Sequence, residues 1–133
     1  MLLDTHAFIW LSFGDPMEET AVEVAERAAT NGALVLSAIT IWEIGNLVRR
    51  RRIELYSPTA TWLANATAAR GIGVVALSAD IALAATELPG AFHRDPADRF
   101  LVATARALDV SIVTRDAEIL AYAAAGYVRA LAC

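Results

Sequence analysis

Apolar residues along this chain fall into two rhythms. Short runs at Leu2-Leu3, Ala33 to Leu36, Val74 to Leu77 and Val110 to Thr114 have strand length and end at polar residues or turns. Between them, apolar residues recur at spacings of three and four. This predicts helices over Ala7 to Leu11, Glu18 to Thr30, Ile39 to Arg50, Ser57 to Ala69, Ser78 to about Leu88, Asp95 to Leu108 and Glu118 to Ala124. Asn31-Gly32, Gly71 and Gly73, and Pro89-Gly90 supply the stops, while Ser37, Ser78 and Asp95-Pro96 supply the starts. A last edge strand is expected near Tyr127 to Leu131. Strands that alternate with helices predict an α/β fold, with a central parallel sheet of four to five strands and helices on both faces.

Composition narrows this picture. A chain of 133 residues makes one domain, 1–133, large enough to bury a core without disulfides. The apolar fraction of 57% and the mean hydropathy of +0.48 exceed the usual globular range. With Trp10, Trp42 and Trp62 also present, the excess points to an apolar face for a partner, most simply a homodimer. The abundant helical alanine is the plainer source of the same excess. The lone cysteine, Cys133, leaves no internal disulfide and fits a reducing cytoplasm. No apolar run is long enough to span a bilayer, so no membrane partner is expected. The net charge of −4 argues against nucleic acid as a partner unless the acids are gathered in one place.

They are placed to gather. Asp4 ends the first strand and Asp116 follows the fourth by one residue, so both belong at the carboxyl edge of a parallel sheet, where such folds bind ligands. Glu43 lies mid-helix on a polar stripe with Thr40, Asn46 and Arg50, opposite Ile41, Ile44 and Val48. In Asp95-Pro96-Ala97-Asp98-Arg99, Asp95 is the natural N-cap and Pro96 the first helical residue. Asp98 at N3 is placed to complete a capping-box-like pair, but the expectation is that Asp95 is structural while Asp98, one turn inside, projects to the site. Each acid also has a plain structural use, as helix cap or solvated side chain. Together Asp4, Glu43, Asp98 and Asp116 make an oxygen-rich set suited to Mg²⁺ or Mn²⁺. His6 and His93 are possible ligands, bases or phosphate contacts, but neither has a second His or Cys at zinc-site spacing. Arg49, Arg50, Arg51 and Arg52 close the Glu43 helix, where they suit its dipole. Arg49 and Arg50, with Arg115 beside Asp116, are also placed to grip a phosphate backbone.

The segments Met1-Leu2-Leu3-Asp4-Thr5-His6, Ile41-Trp42-Glu43-Ile44, His93-Arg94-Asp95-Pro96-Ala97-Asp98-Arg99 and Val113-Thr114-Arg115-Asp116, taken in order, resemble PIN-domain proteins of the VapC toxin type. The resemblance implies a single PIN domain and a metal-dependent endoribonuclease, the toxin of a type II toxin–antitoxin pair whose inhibitor is a VapB-like antitoxin. By position it assigns the acidic quartet to Asp4, Glu43, Asp98 and Asp116, with Thr5 and Thr114 as accompanying polar residues. The alternative is a non-catalytic PIN-like module that binds RNA or protein. A phosphoacceptor receiver also groups aspartates at strand ends, but it expects a lysine late in the sheet, and this chain has none.

Overall fold

The protein, described over residues 1–133 by a computed structural model, is built on one five-stranded sheet. Its strands are β1 (Leu2–Leu3), β2 (Val35–Ser37), β3 (Gly73–Val75), β4 (Ser111–Thr114) and β5 (Arg129–Ala132). All pair in parallel, in the order β3-β2-β1-β4-β5. The helices are α1 (Thr5–Phe13), α2 (Glu19–Thr30), α3 (Ala38–Arg49), α4 (Thr59–Ala69), α5 (Ala79–Thr86), α6 (Pro96–Leu108) and α7 (Ala117–Ala124). The chain steps outward from β1 to β3, then returns to lay β4 against the other side of β1. That reversal opens a crevice at the carboxyl ends of β1 and β4.

Alternation along the strands divides the core. Leu2 and Ile112 point to one face, where they pack with Leu101, Val102 and Ala105 of α6 and Ile119 and Tyr122 of α7. Leu3, Leu36 and Val113 point to the other, into a cluster with Phe8, Ala25, Ile44 and Trp62 from α1 to α4. Helices therefore cover both faces. The Trp62 ring meets Phe8 edge-on at 5.7 Å and stacks on Phe13 at 5.6 Å.

Several expectations shift by a few residues. Ala33 closes the turn after α2, its N–H donating to Ala28 O at 2.8 Å, so β2 begins at Val35 and extends to Ser37. β3 covers Gly73–Val75 rather than Val74 to Leu77, because Ser37, the partner of Val75, is the last residue of β2 and caps α3, so nothing remains for Ala76 and Leu77 to pair with. β5 runs over Arg129–Ala132, in register with Ser111–Thr114. Thr40, expected on a polar stripe, is fully buried. The reason is that α3 contacts α6 as well as α1 and α4, which widens its buried arc beyond one stripe. Among the tryptophans, Trp62 belongs to the core at 1% exposure, whereas Trp42 stands 62% exposed.

Because Trp62 joins α4 to α1 through two ring contacts, its removal leaves a cavity that neither helix can fill. Trp62→Ala is expected to cost about 3–5 kcal/mol in urea unfolding. A loss below about 1 kcal/mol would show that this cluster does not hold the fold together.

Candidate metal centre

The crevice between β1 and β4 is occupied by acids. Asp4, the residue after β1, is 5% exposed, and its backbone N–H donates to Val113 O at 3.1 Å. Its Oδ1 accepts the Ala7 N–H at 2.6 Å, which makes it the N-cap of α1. Its Oδ2 accepts the Thr114 hydroxyl. The cap and the site are thus one residue: helix α1 starts at once after a two-residue strand, and the cap carboxylate is left inside the crevice.

Thr114 ends β4 and does two jobs with one hydroxyl. It donates to Asp4 Oδ2 and accepts the Asp116 N–H at 2.9 Å, tying the ends of the two strands together. Asp116 Oδ1 accepts the Glu118 and Ile119 N–H groups, both at 2.9 Å, capping α7 and leaving Oδ2 outside the cap. Glu43 reaches the crevice from the middle of α3, where its Oε2 accepts the Thr5 hydroxyl at 2.5 Å.

The fourth acid arrives on the first turn of α6. Asp95 caps that helix, Oδ1 accepting the Ala97 N–H at 2.9 Å and the Asp98 N–H at 3.4 Å. Asp98 does not return a capping bond to Asp95, whose N–H goes instead to His93 Nδ1 at 3.4 Å. The Asp98 carboxylate faces the crevice, with Oδ2 3.1 Å from His93 Nε2. The resulting cavity, about 210 Å³, is lined by Asp4, Glu43, Asp95, Asp98 and Asp116 together with Thr5, His6 and Leu101. The structure therefore brings all four expected acids to one place and adds Asp95 to them.

Charge in this cavity is unbalanced. No arginine pairs with any of these carboxylates: the arginine–carboxylate pair of the chain is Arg129–Asp109, at the far end of the sheet, and the side chain that approaches the acids is His93, beside Asp98. Burial pushes the Asp98 carboxyl up to about 7, assisted by repulsion from Asp116, Asp95, Glu43 and Asp4. Burial likewise raises Asp4 and Glu43, against the hydrogen bonds from Ala7 and Thr114 to the first and from Thr5 to the second. Such a donor set fits a cation. Asp98, Asp116 and His93 each offer an atom within 4.8 Å of the others, and hard carboxylate oxygens dominate the group.

The basic residues separate. Arg50 rims a groove that runs past Trp42 and Asn46 to Glu43. Arg49 is exposed and bonds Asn46 Oδ1 at 3.3 Å. Arg115 lies over Trp10, 4.4 Å from the ring centroid, and its Nε donates to Cys133 O at 2.7 Å. His6 lines the cavity mouth, its ring 5.7 Å from that of Trp10. His93, which the sequence offers as a metal ligand, a base or a phosphate contact, stands beside Asp98.

A model of the PIN domain family matches residues 1–125. Ribonuclease VapC22 of Mycobacterium tuberculosis is 33% identical over 118 residues, which cover 87% of this chain and 86% of that protein. Among solved structures, VapBC2 from Rickettsia felis, bound to a promoter DNA fragment, superposes with a TM-score of 0.72 at 16% identity over 98% of this chain and 96% of its own. VapBC from Salmonella typhimurium, also bound to DNA, gives 0.68 at 17% identity over 98% and 96%. At 16% and 17% identity, these last two carry the fold alone. Given a family match across nearly the whole length and a relative one-third identical over most of it, this chain belongs to the PIN-domain family.

Proposed function

We propose that this protein is a metal-dependent endoribonuclease, the toxin of a VapBC-type pair, acting in the cytoplasm as a homodimer held in check by a VapB-like antitoxin. The observation that carries the reading is the convergence of Asp4, Glu43, Asp98 and Asp116 in one cavity without an arginine partner. The one-third-identical relative bears the name ribonuclease, and the structural neighbours are named as VapBC complexes, which supports the same reading.

Asp4, Asp98 and Asp116 would hold Mg²⁺ or Mn²⁺, with Glu43 at the edge of the set. Bound there, the ion supplies Lewis-acid charge for phosphodiester hydrolysis. The chain's own residues do the rest. Thr114 fixes Asp4 and Asp116 relative to one another, and Thr5 turns Glu43 so that Oε1 remains open. Glu43 Oε1 is then the atom placed to take a proton from an attacking water, its affinity for protons increased by burial. Arg50, at the rim of the groove leading to Glu43, receives the RNA backbone, and Arg49 and Arg115 would contact it farther from the groove.

Asp4→Asn tests the site with little cost to the fold, because asparagine also caps helices. RNA cleavage in Mg²⁺ or Mn²⁺ is expected to fall by about 100-fold or more, a cost of about 2.7 kcal/mol in transition-state stabilisation, with circular dichroism unchanged. Wild-type activity in this variant would exclude the assignment.

The carboxyl groups also set a pH dependence. Asp98 ionises near 3.8 when unfolded and at about 7 when folded without metal, so within that window the folded chain holds the extra proton. The stability this brings is present at low pH and lost as pH rises through about 7; Asp4 and Glu43, raised as well, act in the same direction. The urea midpoint of EDTA-treated protein should therefore fall between about pH 5 and pH 8, and Mn²⁺ should restore it at the higher pH more than at the lower. A metal-free midpoint that rises over this range would contradict the charge arrangement.

A further inference from the structure

The segment between α5 and α6 is held with more contacts than a connection needs. From the second turn of α6, Arg99 sends its guanidinium to four carbonyls: Nε to Ala85 O at 2.8 Å, Nη2 to Thr86 O at 3.3 Å, and Nη1 to Phe92 O at 3.4 Å and His93 O at 3.3 Å. The Tyr122 hydroxyl donates to Pro89 O at 2.5 Å, and the Phe92 ring lies 4.6 Å from that of Tyr122. Gly90, at φ +68°, passes so close to Tyr127 that a Cβ would sit 2.6 Å from its ring. The backbone of His93 is thereby fixed from both α6 and α7.

Its side chain is fixed too, and the contacts decide its tautomer. Nδ1 accepts the Asp95 N–H, so the imidazole proton resides on Nε2. That Nε2–H is shielded from solvent, lies 3.1 Å from Asp98 Oδ2 and has no well-aligned acceptor, the approach to Asp98 being bent. Hydrogen bonds in unfilled sites are often poorly aligned and tighten once the site is filled. Direct ligation of an ion by Nε2 would demand the opposite tautomer, with the Nδ1 proton pressed against the Asp95 N–H. Ligating histidines instead give that proton to an acceptor.

We propose that His93 is a positioning residue: its Nε2–H holds Asp98 Oδ2 so that Oδ1 is presented to the divalent ion. The assignment rests on the metal-site reading above. A carboxylate anchored through one oxygen has less freedom to lose when the other binds a cation. His93 thus does for Asp98 what Thr114 does for Asp4 and Thr5 for Glu43, and each of these acids has a donor of its own.

The test is Mn²⁺ binding by calorimetry to the intact protein and to two variants, together with electron spin-echo spectroscopy of the wild-type Mn²⁺ complex. His93→Ala is expected to weaken Mn²⁺ by about 10–100-fold, as is usual when a donor to a ligand is removed. His93→Gln, whose amide N–H₂ reaches the place of Nε2, should recover most of that loss. The metal-free thermal midpoint should stay level across the three proteins, which a merely structural role would not explain. No imidazole nitrogen should couple to the bound Mn²⁺. Equal affinity in all three proteins overturns the proposal, as does failure of glutamine to recover binding. Nitrogen coupling also overturns it by making His93 a ligand. If the wild type binds no Mn²⁺, the metal-site reading falls, and this inference falls with it.

Discussion

A strand of two residues, paired on both sides, is the constraint on which the rest of this structure depends. Leu2 and Leu3 align with Val35 and Leu36 on one side and with Ile112 and Val113 on the other, and Leu2 packs into one core layer while Leu3 packs into the other. Asp4 follows with no residue to spare. It must leave the sheet, cap α1 and occupy the crevice in a single step. The hydroxyl of Thr114 then fixes Asp116 to Asp4, so the geometry of the acid cluster is inherited from sheet register rather than from loop conformation. Sites carried on register tolerate little drift, which suits chemistry that depends on sub-ångström placement.

The energetic counterpart is concentrated negative charge in a half-buried cavity. Desolvation dominates the shifts at Asp4, Glu43 and Asp98, and neighbouring carboxylates add to it at Asp98. A fold selected for stability alone would place an arginine here. This one spends its arginines elsewhere: Arg99 on the carbonyls of the α5–α6 connection, Arg115 on Cys133 O and the Trp10 face, and Arg129 on Asp109. The donors that do reach the acids, the hydroxyls of Thr5 and Thr114, are neutral. They orient the carboxylates without cancelling their charge, and so leave them able to attract a cation.

Much of this was legible in the chain. Alternating apolar runs and helical stripes foretold the parallel α/β sheet, and strand-end positions foretold Asp4 and Asp116, because those signals are local. Asp98 was separable from Asp95 on capping grammar, and the structure keeps that division while lining the cavity with both. What escaped was set by long-range packing. Thr40 turned inward because α6 presses on α3, and β3 moved to Gly73–Val75 because Ser37 ended its partner strand. His93 was seen but not placed: its approach to Asp98 depends on the Arg99 clamp and on the Tyr122–Phe92 contact, and no spacing rule encodes either. Trp42, counted with the other tryptophans as a sign of surface apolarity, fits that role at 62% exposure. Trp62, at 1%, does not.

The central claim is that the carboxyl edge of β1 and β4 is a divalent-cation site. Anomalous diffraction from crystals grown in Mn²⁺ tests it most directly. The account predicts a manganese peak within about 2.0–2.3 Å of carboxylate oxygens from Asp4, Asp98 and Asp116. Manganese bound elsewhere, with this cavity empty at saturating metal, would contradict it.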